Sequence, residues 1–186
     1  RFEQYFDVLE ENQIEYRVSS FIDENTWGIL YKPGHYCQKV KGILKGFLMR
    51  KIELLRIPFC DYVFIHREAS PIGPPFVEFF VTKLFRKRII YDFDDAIWLE
   101  NTSDNNKMVA SFKCHWKVAY ICRWAYKVSC GNAYLAEYAR QFNANVVINP
   151  TTIDTEHLHN RSIDYSSEKP VIGWTGTHST IGYLDA

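Results

Sequence analysis

No stretch of this chain approaches the roughly 18 consecutive apolar residues that cross a bilayer as a helix, so a transmembrane segment is not expected. An excess of one charge is missing as well: 22 Lys and Arg stand against 22 Asp and Glu, a formal net charge of zero. The basic footprint that binds phosphate backbones is therefore absent, and no nucleic-acid partner is expected. Neither G-x-G-x-x-G nor G-x-x-x-x-G-K-(S/T) occurs, which leaves dinucleotide and P-loop chemistry without their glycine loops. The five cysteines (Cys37, Cys60, Cys114, Cys122, Cys130) are odd in number and include no C-x-x-C pair. Reduced thiols and a cytoplasmic setting are expected, where the sequons at Asn101 and Asn160 mean nothing. No repeat or low-complexity tract is visible. The opening Arg1-Phe2-Glu3-Gln4 is not a basic-then-apolar leader, and with no initiator methionine a fragment is expected.

What is present is a foldable composition, 47% hydrophobic and 24% charged over 186 residues, enough for one sizeable domain and part of a second. Apolar residues at Phe2, Tyr5, Phe6 and Leu9 predict a helix over 2–12. A strand is expected over 15–22, ended by Asp23-Glu24-Asn25, then a long helix over 37–57 that stops before Pro58. A strand over 61–66 leads through a Pro/Gly loop to Pro74-Pro75, which open a helix to about 85. A strand begins at Arg88, a helix covers 105–125, a short strand 127–129, a helix capped by Asn132 runs over 132–142, and a strand covers 146–148. After a polar stretch, Pro170-Val171-Ile172-Gly173-Trp174 starts a new strand. Alternation of helix and strand predicts an α/β, Rossmann-like parallel sheet with helices on both faces.

The most informative segment is Ile89-Ile90-Tyr91-Asp92-Phe93-Asp94-Asp95, a buried strand ending in three carboxylates within four residues. The carboxyl ends of parallel strands face the crevice where open α/β sheets bind ligands. Acids this close repel one another unless a cation, a sugar hydroxyl, helix N-terminal N–H groups or a shared proton satisfies them. Asp92 and Asp94 fit the first half of the Asp-x-Asp-x-(Thr/Val) signature of haloacid-dehalogenase-type phosphotransferases, but position 96 is Ala and no later acidic pair follows. An Asp-x-Asp pair also holds a divalent metal and a nucleotide diphosphate in single-Rossmann glycosyltransferases, whose order of elements fits poorly here.

A third reading uses several segments together. Asp61-Tyr62-Val63-Phe64-Ile65-His66-Arg67-Glu68, the loop and helix after it, and the acidic strand resemble the acceptor domain of two-domain (GT-B) glycosyltransferases of family 4. Val128-Ser129-Cys130-Gly131-Asn132-Ala133-Tyr134-Leu135 looks like that family's strand-turn-helix with "SxxL", Asn132 standing where Ser is usual. Val147-Ile148-Asn149-Pro150-Thr151-Thr152-Ile153-Asp154-Thr155-Glu156 resembles its "IPNGVD-x-E" interdomain segment. Ile172-Gly173-Trp174-Thr175-Gly176-Thr177 resembles the first strand and glycine loop of its donor domain, and Arg1-Phe2-Glu3-Gln4-Tyr5 its first helix.

The resemblance implies the truncated N-terminal half of a GT-B fold, with 1–168 an acceptor-binding domain lacking its first strand and 169–186 the beginning of a donor domain. It implies retaining transfer of a sugar from a nucleotide-sugar donor to a glycan or lipid-linked acceptor, with no cofactor and no required metal. Where many members carry histidine, in a "YDxHD" pattern, this chain has Asp94 followed by Asp95. Asp94 and Asp95 are the catalytic candidates, placed to accept from a sugar hydroxyl or to steady an oxocarbenium-like transition state. The plainer reading makes them caps on the next segment, and Asp92 is expected to point away in a structural part. His66, Arg67 and Glu68 should lie beside the acidic loop and hold acceptor hydroxyls or a phosphate, Arg67 being the better phosphate partner, or else form an ion-paired strand end. Gly173, Gly176 and Thr177 are the donor-diphosphate candidates. The competing class is a non-catalytic sugar-binding or pseudoenzyme domain.

The helix over 37–57 carries Lys39, Lys41, Lys45, Arg50, Lys51 and Arg56 against Glu53, with Val40, Ile43, Leu44, Phe47, Leu48, Ile52 and Leu55 among its apolar members. Its apolar side is expected to pack on the sheet with the lysines solvated; the alternative is contact with an anionic membrane at its inner face. His157-x-His159 lacks a third ligand at sensible spacing, so no metal site is expected. Trp98 reads either as core or as a sugar platform.

Overall fold

The computed structural model describes residues 2–30, 32–99, 113–155 and 160–161. Four strands, β1 (Tyr62–His66), β2 (Arg88–Phe93), β3 (Lys127–Cys130) and β4 (Val146–Ile148), form an all-parallel sheet in the order β1-β2-β3-β4. The helices are α1 (Phe6–Glu11), α2 (Glu24–Leu30), α3 (Tyr36–Leu54), α4 (Phe76–Phe79, continued by a π-helical turn, Phe80–Leu84), α5 (Lys117–Trp124) and α6 (Ala133–Arg140). Among the described residues no helix is long and apolar enough to cross a membrane.

Period-two alternation along β2 sends Ile89, Tyr91 and Phe93 to one face, where none has any exposure. Their register partners Ile65, Val128 and Cys130 lie on the same face and are also buried. Val81, Val118, Ile121, Cys122, Leu135, Ala136 and Ala139 from the connecting helices complete this core. Because the strands follow one another in sequence order, every right-handed crossover returns on the same side, and the connections stack there together. The parallel α/β sheet is as expected, but those connecting helices cover one face, not both. On the opposite face Tyr62 and Phe64 remain about half exposed, at 47% and 48%. Phe2 lays its ring against Phe64 and His66, with centroids 5.7 and 5.6 Å away. Gln4 and Tyr5 reach across to Thr152, at 2.9 and 3.3 Å.

Local chemistry explains the element ends. Asn132 caps α6, its Oδ1 accepting the Leu135 N–H at 3.0 Å, as its position predicts. Asp23 is a start signal rather than a stop: its Oδ1 accepts the Thr26 N–H at 2.9 Å and caps α2, a helix that the sequence reading missed. The Lys45 ammonium, hydrogen-bonded to Asp23, together with Thr26 holds that carboxyl well below the usual range. The strand expected over 15–22 is not formed. Glu15 to Val18 are exposed and meet no strand edge, and Arg50 holds the segment instead through Ser19, at 2.9 and 3.2 Å. Trp98 stacks on Tyr138 at 3.7 Å beside Phe93, which makes it a packing residue. The five thiols are free of disulfides; Cys122 and Cys130 are buried, and burial pushes the Cys122 thiol up to about 12, as suits a small hydrophobe.

Most of the apolar side of α3 stays exposed, and Leu54 near its end packs against the core. Its inward side is small instead: Gly42 abuts the Thr26 side chain, and Gly46 lies under the Phe21 backbone carbonyl, 2.5 Å from where a Cβ would sit. In an open helix Gly→Ala stabilises by about 1 kcal/mol. Here Gly46→Ala is expected to destabilise by about 1–3 kcal/mol, since a backbone carbonyl must move. Urea unfolding checks the sign; a more stable variant would show that the Phe21 segment yields freely.

Candidate functional site

The site forms where β1 and β2 end side by side. His66 and Asp92 are register partners, Asp92 pairs in turn with Ser129 of β3, and all three side chains share the face opposite the core. Asp92 is 2% exposed, its Oδ2 lies 2.8 Å from His66 Nδ1, and its Oδ1 accepts the Ser129 hydroxyl at 2.6 Å. A carboxylate has only lone pairs to offer, so Nδ1 is the donating nitrogen, and in the neutral ring the unshared pair sits on Nε2. That atom is 3.9 Å from Asp94 Oδ1. Asp92 therefore does not point away. Phe93 takes the core side, so residues 92 and 94 both fall on the site side.

Arg67 makes the turn. Its φ is +61°, its N–H donates to the Asp92 carbonyl at 2.7 Å, and the Glu68 N–H closes back on the His66 carbonyl at 2.8 Å. A non-glycine residue in this region is strained and persists only where its surroundings hold it. The side chain supplies the hold: Nε donates to Asp94 Oδ1 at 3.1 Å, and Nη2 donates to Asp95. Arg67 is thus the cation that the acidic cluster requires. It is 45% exposed and Asp95 63%, so water screens the pair and its stability contribution stays below about 1 kcal/mol.

Glu68 turns to Lys117 Nζ, 2.6 Å away. Lys117 is 2% exposed and also donates to the carbonyls of Ser70, at 2.8 Å, and Gly73, at 3.4 Å. Glu78 is 1% exposed; its Oε1 accepts the Ala69 N–H at 3.0 Å, and its Oε2 has no partner among the described residues. Burial pushes the Glu78 carboxyl up. Arg50 Nε donates to the Ala69 carbonyl at 2.7 Å. Lys117, Glu78 and Arg50 therefore anchor the loop after β1 from beneath. Lys117 and Arg50 are not legible as site residues, because 47 positions separate Lys117 from Ser70 and 19 separate Arg50 from Ala69.

Above this loop a cleft of about 520 Å³ is lined by Phe21, Glu24, Trp27, His66, Arg67 and Glu68, among others. All three predicted substrate residues meet here. Trp27 adds an indole that is 59% exposed, and sequence reasoning missed it because its helix was not recognised. An aromatic wall with a few convergent polar groups suits a small polar ligand. Asp94 and Asp95 border the cleft through Arg67. Among the described residues no three His, Cys, Asp or Glu side chains form a metal-binding group. The donor candidates Gly173, Gly176 and Thr177, the pair His157 and His159, and the 168/169 boundary lie outside the described residues. No protein-family model, curated protein or solved structure matches the chain.

Proposed function

We propose that this chain is the acceptor side of a GT-B-type glycosyltransferase, which moves a sugar from a nucleotide-sugar donor to a hydroxyl of a glycan or lipid-linked acceptor. One observation carries the reading: His66, Arg67 and Asp94 converge at the carboxyl ends of adjacent parallel strands, beside a cleft walled by Trp27. The order of sequence segments that resemble family 4 supports it. The acceptor occupies the cleft, where His66 Nε2 receives its hydroxyl. Asp94 and Asp95 face the transferred sugar and steady positive charge developing at its anomeric carbon. Gly173, Gly176 and Thr177 serve the donor diphosphate, no metal is required, and the setting is cytoplasmic. The phosphotransferase alternative loses support, because both oxygens of Asp92 are engaged and the side chain is sealed from a phosphoryl group.

The test is a thermal-shift screen of the full-length protein against nucleotide sugars, followed by turnover of whichever donor stabilises it. Replacing Asp94 and Asp95 together by Asn is expected to lower kcat by about 10²-fold or more. Unchanged turnover would remove both acids from the chemistry. A specific observation favours a second reading, a sugar-binding domain without catalysis: Arg67 already satisfies both acids, so the cluster is closed without a ligand. Stabilisation by a sugar or glycan with no turnover of any donor would identify that case.

A further inference from the structure

The side of α3 opposite its two glycines carries an uncovered apolar stripe. Val40, Leu44 and Leu48 follow one another at helical spacing, 55%, 63% and 58% exposed, and Leu55 continues the line at 74%. Tyr36 at the start of the helix is 77% exposed, and Phe59, on the turn that follows it, 88%. On a helix of 19 residues this is a ridge about 28 Å long. A contiguous apolar surface of that kind marks a place where something docks.

The charges around the ridge say what docks. Lys41 flanks it and Lys51 falls inside it, between Phe47 and Leu55; both are exposed. Glu53 is the one acid in α3, and it turns away to Arg17 and Arg56, at 3.3 and 3.2 Å. A second copy packed ridge to ridge would bring cation against cation, with no acid of α3 free to answer it. A protein partner would have to pair Lys51 in the middle of an apolar contact. At a bilayer surface that same lysine lays its stem along the acyl boundary and its ammonium among the lipid phosphates. We propose that α3 lies in the head-group region of an anionic membrane, with its leucine ridge seated at the acyl boundary and Lys41 and Lys51 at the phosphates. This surface stands apart from the transferase reading, since it needs neither donor nor acceptor.

The test is co-sedimentation of the full chain with vesicles of phosphatidylcholine alone and with about one third phosphatidylglycerol, in low and high salt. Binding is expected on the anionic vesicles and is expected to weaken with salt as the cations are screened. Leu44→Ser with Leu48→Ser should abolish it at unchanged circular dichroism, both positions being exposed. Lys41→Glu with Lys51→Glu should weaken it by about tenfold or more. Three results would each overturn the proposal: no binding to the anionic vesicles, wild-type binding by the serine variant, or a dimer by light scattering that the serine variant breaks while vesicles bind nothing. Failure of the transferase reading, seen as no turnover of any nucleotide sugar, leaves every one of these readouts intact.

Discussion

Lys117→Met is expected to destabilise the fold by about 3–5 kcal/mol, the range for removing one partner from a buried ion pair. The methionine keeps the stem and its packing in α5 but removes the ammonium. Glu68 then loses its partner at 2.6 Å, and the carbonyls of Ser70 and Gly73 lose their donor. Glu68 is 26% exposed and recovers some hydration, which places the loss nearer the lower end. Glu78 makes the deficit depend on pH. Burial is the largest influence on its carboxyl and raises it above the ordinary 4.5, while the Ala69 N–H and the Lys117 charge pull it back down. A carboxyl raised in the folded state contributes its stability below the unfolded value and loses it as pH climbs through the folded value. Without Lys117 the folded value climbs further. The variant's deficit should therefore shrink as pH falls toward about 4.5 and widen toward pH 8. Urea unfolding at several pH values, at constant m, measures this. Glu78→Gln added to the variant should flatten the dependence, and a small deficit independent of pH would mean that the loop after β1 does not rest on this cation.

The same contrast between near and distant partners governs what the sequence could reveal. β2 is legible because an inner parallel strand is a short, nearly continuous apolar run, and Arg88–Phe93 has that form; β1, Tyr62–His66, is an edge strand but carries a similar short apolar run. The cap at Asn132 is legible because it needs only the residue three positions on. Asp92 was legible too: period two puts it with Asp94, and expecting it to point away ignored that alternation. The segment 15–22 has a strand's apolar pattern, but such a pattern becomes a strand only where an edge pairs with it. Likewise the apolar members of α3 implied burial, yet Gly42 and Gly46 set which side of the helix faces inward. Lys117 and Arg50 carry no local signal at all, since each acts on groups far along the chain.

If the proposed transferase reading holds, His66→Ala is expected to lower kcat by about 10²–10⁴-fold, the usual contribution of a positioned proton acceptor. The case rests on Asp92, which fixes the ring through Nδ1 and leaves Nε2 open beside Asp94. Asp92→Asn is the sharper variant. Its amide can present NH₂ to Nδ1, which moves the ring proton to Nε2 and blocks the acceptor hydroxyl without emptying the site. A comparable fall in kcat is expected, together with a change of His66 tautomer read directly by ¹⁵N NMR of the free protein. That spectrum separates a positioning role for Asp92 from a merely structural one, because it needs no substrate. The split between constants then decides what His66 does. A base that takes the hydroxyl proton as the bond forms lowers kcat, whereas a group that only holds the hydroxyl raises KM and leaves kcat alone. Stereochemistry is tied to the same split. A protein base behind the acceptor drives attack from the side opposite the leaving group and inverts the anomeric centre. The retention implied by the resemblance to family 4 has no need of such a base. A fall in kcat with an inverted product, read from the product's anomeric proton, would make the Asp92–His66 pair the catalytic base; a retained product with only KM disturbed would leave it as the acceptor's cradle.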